Sequence, residues 1–107
     1  MSVRGLVSAP ARVKRGDVFE VKTLLAHPME TGFRPGFDGR LIPRDIVTRM
    51  VVGLDGAELF VMEMSPAIAA NPYVAFPLSL EKGGFLTVEW RGDNGFVAEA
   101  RIAIAVE

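Results

Sequence analysis

The fold of this chain is decided by residues 85–106, which read FLTVEWRGDNGFVAEARIAIAV. Two runs of alternating apolar and polar residues flank a turn signal, which is the pattern of a β-hairpin. A two-residue Asn-Gly loop would place the apolar residues of the two runs on opposite faces and split the core. A three-residue loop Asp93-Asn94-Gly95, with Gly95 in the left-handed conformation, shifts the register by one and brings both apolar sets onto one face. The predicted facing pairs are Trp90 with Ala98, Val88 with Ala100 and Leu86 with Ile102, and the side chains that face water are Glu89, Arg91, Glu99 and Arg101.

The rest of the chain contains similar short runs of β-branched and aromatic residues, separated by Gly, Pro, Asp and Asn. Such runs, without a credible long helix, predict an all-β fold: an immunoglobulin-like antiparallel β-sandwich of about seven strands. At 107 residues the chain is expected to form a single domain, residues 1–107, with residues 1–9 flexible. The predicted strands lie near residues 10–14, 18–27, 45–54, 57–64, 74–80, 85–91 and 96–106.

The hairpin at residues 47–64 is unusual because both of its faces are apolar. Its turn signal Asp55-Gly56 suits a two-residue type I′ loop, and that loop fixes the register of the two strands. One face of a sandwich sheet is normally solvated, so the second apolar stripe is predicted to meet another protein. The alternative is that a loop of the same chain, residues 28–44 or 65–73, covers it. The stripe consists of Val47, Val51, Phe60, Met62 and Met64.

Charge and composition exclude several classes of partner. Twelve basic and thirteen acidic residues give a net charge of -1, so nothing attracts nucleic acid or an anionic membrane. The chain contains no cysteine, which rules out disulfides and thiol chemistry in the chain itself. Because no apolar stretch is long enough for a secretory signal or a membrane span, neither is predicted.

His27, the only histidine, precedes Pro28 at the end of a predicted strand. Nucleophilic catalysis would need a nucleophile, a base and an orienting acid, and a metal site would need three or four ligands. We therefore predict no enzyme, no cofactor and no metal, and a buried or interface histidine whose ring bonds a nearby backbone group. The alternative is a small metal-binding or catalytic sandwich domain that uses His27, Glu30 and an arginine of the following loop.

The loop after His27 runs about seventeen residues to Asp45, a length typical of functional or partner-ordered loops. Its arginines Arg34, Arg40 and Arg44, together with Arg49, could hold an anion or form a solvated edge.

Three segments of the chain resemble the SoxZ family, the Z subunit of the bacterial SoxYZ sulfur-carrier complex. They read KTLLAHPMETGFRPGFDGRLIPRDIV at residues 22–47, DGAELFVMEMSPAIAANPY at residues 55–73 and RIAIAV at residues 101–106. The most specific residues are His27, Pro28, Met29, Glu30, Thr31 and Gly32, then Ile42, Pro43 and Arg44, then Asn71, Pro72 and Tyr73.

The resemblance implies a non-catalytic subunit of a periplasmic heterodimer. Its partner would be a SoxY-type subunit whose C-terminal cysteine carries sulfur intermediates during thiosulfate oxidation. The partner is expected to dock on the second apolar stripe, with residues 28–44 at the rim, and the chain alone is expected to self-associate through the same face. The resemblance also implies transient contact with sulfur-oxidising enzymes and export together with the partner, without a signal peptide of its own.

Overall fold

The protein, described by a computed structural model over residues 5–65 and 67–107, is built from two packed β-sheets. The three-stranded sheet has the order β1-β3-β6, and the five-stranded sheet has the order β2-β8-β7-β4-β5. Neighbouring strands are antiparallel except β2 and β8, which are parallel. The predicted immunoglobulin-like β-sandwich is therefore confirmed, with eight strands in this part of the chain. They are β1 (Gly5–Ser8), β2 (Arg12–Val13), β3 (Phe19–Leu25), β4 (Val47–Leu54), β5 (Ala57–Glu63), β6 (Tyr73–Leu78), β7 (Gly84–Gly92) and β8 (Val97–Val106).

The β7–β8 hairpin has the predicted register. Trp90 faces Ala98, and the inward side chains of β7 are at most 1% exposed. A 3₁₀ turn, Asp93–Gly95, joins the two strands, and Gly95 has a φ of 73°, the left-handed value that the register requires. Alternation on β7 therefore supplies the centre of the core, as expected for a sheet with one buried face.

Strand β1 lies within residues 1–9, the segment that the sequence predicts to be flexible. Residues Gly5–Ser8 pair antiparallel with β3, and Gly5 is buried. A Cβ at position 5 would collide with the indole ring of Trp90, so glycine lets this strand approach the core closely. Residues 1–4, which the same prediction included, lie outside the described residues.

The β4–β5 hairpin corrects the predicted register of these two strands. Its turn is the predicted one, since Asp55 and Gly56 both have positive φ, at 48° and 86°. Beyond Gly53, however, the pairing shifts by one residue, as at a β-bulge, so that Val52 faces Phe60 instead of Leu59. A shift of one residue on one strand moves every later side chain of that strand to the opposite face.

The predicted apolar stripe is split by this shift. Val47 is fully buried and Met64 is 7% exposed, while Phe60 and Met62 pack against the core from the inner face. Val51 lies opposite Val61 and is half-buried. The five residues therefore do not form one exposed face, because Val47 and Met64 are buried while Val51, Phe60 and Met62 are half-buried. No helix of the described residues is long and apolar enough to cross a membrane.

Candidate functional site

Residues 28–44, called the arm below, connect β3 to β4 and fold back on themselves like a hairpin. Two antiparallel bridges join the outgoing and returning halves, Glu30 with Asp45 and Pro35 with Leu41. The tip is closed by the amide of Gly36, which donates to the carbonyl of Arg40 at 2.7 Å. The predicted long connection is thus a hairpin-like projection whose two halves are joined by backbone hydrogen bonds.

The tip of the arm exposes large apolar side chains. Phe33 is 77% exposed, Phe37 is fully exposed and Leu41 is 60% exposed. Phe37 also lines a shallow cavity of about 280 Å³ together with Arg34, Pro35 and Ile42. Three large apolar side chains in one short loop form a surface that water solvates poorly.

His27 lies at the base of the arm and is almost fully buried. Its Nδ1 accepts a hydrogen bond from the amide of Met29 at 3.0 Å, so we place the ring proton on Nε2, which faces a carboxylate oxygen of Asp45 at 3.7 Å. The ring also contacts Phe96 edge to face, with centroids 4.6 Å apart. The interpretation of His27 as a buried histidine whose ring bonds nearby backbone is confirmed, although β3 ends at Leu25, two residues earlier than the predicted strand.

Asn71 ties a second loop to this base. Its amide donates to the carbonyl of His27 at 2.7 Å, and its side-chain oxygen accepts from the amide of His27 at 3.0 Å. Asn71 has a φ of 51°, a left-handed conformation that asparagine tolerates. The next residue, Pro72, accepts from the amide of Leu25 at 3.1 Å. Backbone hydrogen bonds therefore join residues 71–73 to residues 25–27, so that two of the segments that resemble the SoxZ family meet at the base of the arm.

The other signature residues at the start of the arm shape its exit from the sandwich. Met29 is buried, has a φ of 51°, and its sulfur accepts the amide of Val47 at 3.2 Å. The hydroxyl of Thr31 accepts the amide of Phe33 at 3.3 Å, while Pro28 is exposed. These contacts hold the first residues of the arm against the start of β4.

Three of the four arginines in the predicted basic cluster form separate ion pairs. Arg34 binds Glu30 at 2.6 Å, Arg44 binds Asp93 at 2.8 Å, and Arg49 lies 3.6 Å from Glu63. The Arg34 guanidinium holds the pKa of Glu30 below its usual value, mainly through their hydrogen bond. His27 and Glu30, the proposed pair of metal or catalytic groups, are thus both engaged in holding the arm. Within residues 5–65 and 67–107, no three His, Cys, Asp or Glu side chains are grouped so that they could hold a metal ion.

An exposed apolar row lies beside the base of the arm, and sequence reasoning missed it. Leu6, Leu24 and Tyr73 are neighbours in the register of β1, β3 and β6, and they are 57%, 42% and 59% exposed. Tyr73 belongs to a signature segment, yet it contributes to this outer surface and not to the core. The row could not be found from the sequence because β1 was not predicted.

These features define the class of the protein: an immunoglobulin-like β-sandwich with an arm at one end, whose base is fixed by hydrogen bonds and whose tip exposes apolar side chains. The chain belongs to the SoxZ family, since it matches the family described as sulphur oxidation protein SoxZ over residues 7–103. The resemblance found in the sequence is thereby confirmed, and the chain is assigned to the proteins of sulfur oxidation.

Solved structures of similar fold include superoxide reductases and a sulfur carrier. The superoxide reductase (neelaredoxin) of Ignicoccus hospitalis is 24% identical, with a TM-score of 0.74 over 97% of this chain and 80% of that one. A putative superoxide reductase of Thermotoga maritima is 17% identical, with a TM-score of 0.72 over 96% of this chain and 85% of that one. The sulfur carrier protein SoxY of Chlorobium limicola f. thiosulfatophilum is 15% identical, with a TM-score of 0.68 over 99% of this chain and 81% of that one. At these identities the likeness shows the fold alone, and among curated proteins no sequence matches the chain.

Proposed function

We propose that this chain is the non-catalytic subunit of a sulfur-carrier heterodimer that supports thiosulfate oxidation. In this proposal it binds a SoxY-type partner whose C-terminal cysteine carries the sulfur intermediates. Membership of the SoxZ family supports the assignment to sulfur oxidation. The chain has no cysteine, so a thiol that carries sulfur covalently has to belong to another protein.

The observation that carries the partner-binding proposal is the exposed apolar tip of the arm, whose base is held to the sandwich by hydrogen bonds. Phe33 and Phe37 offer the large apolar area that dominates binding when it is buried in a partner's pocket. The hydrogen bonds at His27 and Asn71 order the base before binding, which lowers the entropy lost on association. We therefore move the proposed docking surface from the β4–β5 stripe to the arm, which the sequence placed only at the rim.

The complex is tested by measuring mass in solution. The purified chain and a purified SoxY-type partner are examined separately and mixed, by light scattering and native mass spectrometry. The proposal expects a complex containing one copy of each chain, and it expects the chain alone to self-associate through its exposed apolar surface. Two separate species in the mixture would overturn the heterodimer.

Location is the last part of the proposal. The chain is proposed to reach the periplasm bound to a partner that carries an export signal, and there to make transient contact with sulfur-oxidising enzymes. Fractionation of cells that express the chain with and without the partner tests this. Periplasmic chain in both cases, or in neither, would contradict export with the partner.

A further inference from the structure

Asp93, in the 3₁₀ turn between β7 and β8, binds the segment in which the arm returns to β4. Its two carboxylate oxygens accept from Nε and a terminal nitrogen of Arg44, each at 2.8 Å. One of these oxygens also accepts the amide of Ile46 at 3.2 Å, and the amide of Asp93 donates to the carbonyl of Ile46 at 2.9 Å. Two hydrogen bonds therefore join Asp93 to Arg44 at the end of the arm, and two more join it to Ile46, just before β4.

The ion pair of Arg44 and Asp93 has a geometry that fixes the orientation of Arg44 relative to the sandwich. A guanidinium that binds both oxygens of a carboxylate is fixed in plane as well as in distance, unlike a single-point contact. The side chain of Asp93 is only 20% exposed, whereas that of Arg44 is 52% exposed. The pKa of Asp93 lies below its usual value, chiefly because of the hydrogen bond from Arg44, so the carboxylate is charged at neutral pH.

Arg44 also touches the outgoing half of the arm. Gly32 packs against it so closely that a Cβ at position 32 would lie 3.2 Å from the Cβ of Arg44. Gly32 has a φ of 91°, which favours glycine, and the next residue is the exposed Phe33. Arg44 thus lies between the fixed turn of the sandwich and the start of the apolar tip.

We propose that Arg44 and Asp93 are positioning residues that set the direction of the arm on the sandwich, so that partner affinity depends on them although Phe33 and Phe37 make the contact. This inference rests on the proposed function and names the residues that prepare its docking surface. The pair acts through the arm and not by touching the partner.

The test is a double-mutant cycle of Arg44→Gln and Asp93→Asn, read by partner affinity and by amide hydrogen exchange in residues 30–45. Asp93→Asn keeps an oxygen for the amide of Ile46, removes the charge, and replaces the oxygen that accepts from the terminal nitrogen of Arg44 by an NH2 group. Each single variant should weaken binding by about fivefold and speed exchange in the arm, and the double variant should add little, since the two residues act as one unit. Thermal midpoints are measured alongside, to show that the fold persists.

A matched control is the ion pair of Arg91 and Glu89 on the outer face of the five-stranded sheet. Its atoms are 2.6 Å apart, and its side chains are 58% and 28% exposed, close to those of the tested pair. Arg91→Gln and Glu89→Gln should leave both affinity and exchange in the arm unchanged. Two results would overturn this inference alone, provided that the wild type binds the partner. One is unchanged affinity in Arg44→Gln and Asp93→Asn, and the other is an equal loss of affinity in the control variants. Absence of wild-type binding would overturn the proposed function as well.

Discussion

At the scale of single residues, the base of the arm depends on polar groups that satisfy one another at buried positions. The amide of Asn71 donates to the carbonyl of His27, and the side-chain oxygen of Asn71 accepts from the amide of His27. The ring of His27 accepts from the amide of Met29. When a buried amide loses its acceptor, the protein is destabilised by more than the net contribution of that hydrogen bond, because the amide stays buried without a partner. These residues therefore hold the arm through backbone contacts, and the lone histidine needs no chemical role to explain its position.

Replacing Asn71 by Ala should lower the free energy of unfolding by about 2 kcal/mol, because the amide of His27 loses its acceptor and alanine is strained at positive φ. Asn71→Asp keeps an oxygen at the same place and tolerates that φ, so its loss should be smaller, below about 1 kcal/mol. Urea unfolding of the two variants and wild type measures both values. Equal losses in the two variants would show that the side-chain oxygen contributes nothing.

Asp93 gives the arm a pH dependence at the acidic end only. Its folded-state pKa is lowered from 3.8 by Arg44, so its contribution is present above the unfolded value and is lost as pH falls through the folded value. Wild type should therefore exceed Asp93→Asn in stability at about pH 7, and the gap should narrow at about pH 3. Urea midpoints at the two pH values test this. A gap that stays constant or widens in acid would contradict the assignment.

At the scale of elements, the sequence predicts a strand pair well where only one register gives a continuous core. The β7–β8 hairpin meets this condition, because a two-residue loop would separate its apolar faces and a three-residue loop brings them together. The β4–β5 hairpin does not, since both faces are apolar and a slip at Gly53 carries no penalty visible in the pattern. Strand β1 was missed because four residues with one glycine give a weak signal, and its approach to Trp90 exists only in three dimensions. The contacts of the arm with Asn71 and Asp93 also cannot be predicted from local sequence patterns, because these residues are distant in the sequence. The family resemblance did mark the arm and the segment that contains Asn71.

The register of the β4–β5 hairpin can be tested by crosslinking. Val51 faces Val61 across the strands, whereas the sequence-based register placed Val51 opposite Phe60. Because the chain has no cysteine, an introduced pair supplies the only thiols. Val51→Cys with Val61→Cys should oxidise readily to an intramolecular disulfide, since directly opposed Cβ atoms lie about 5 Å apart.

The control for this crosslink is Val51→Cys with Phe60→Cys, in which the second thiol points to the core. It should remain reduced under the same conditions, as judged by thiol labelling and mass. Faster oxidation in the control pair would restore the register without a bulge and, with it, the apolar stripe.

At the scale of the whole molecule, the arm carries three of the four most exposed large apolar side chains of the described residues, Phe33, Phe37 and Leu41. The row of Leu6, Leu24 and Tyr73 lies near the end of β3, where the arm begins. Val18 is exposed before the start of β3, and Phe85 is exposed at the far end of the five-stranded sheet. A sandwich that buries its core between two sheets has no structural need for Phe33 and Phe37 in water. We therefore propose the arm as the docking surface, and the neighbouring row of Leu6, Leu24 and Tyr73 is the alternative surface.

The most direct test is the dissociation constant for a SoxY-type partner, measured for wild type and for three variants. Phe33→Ser with Phe37→Ser should weaken binding by more than about tenfold, as expected for aromatic side chains central to an interface. Phe85→Ser, the matched aromatic at the far end, should bind like wild type, and Tyr73→Ser should lose less than the double variant. Unchanged affinity in the double variant, or an equal loss in Phe85→Ser, would contradict docking through the arm.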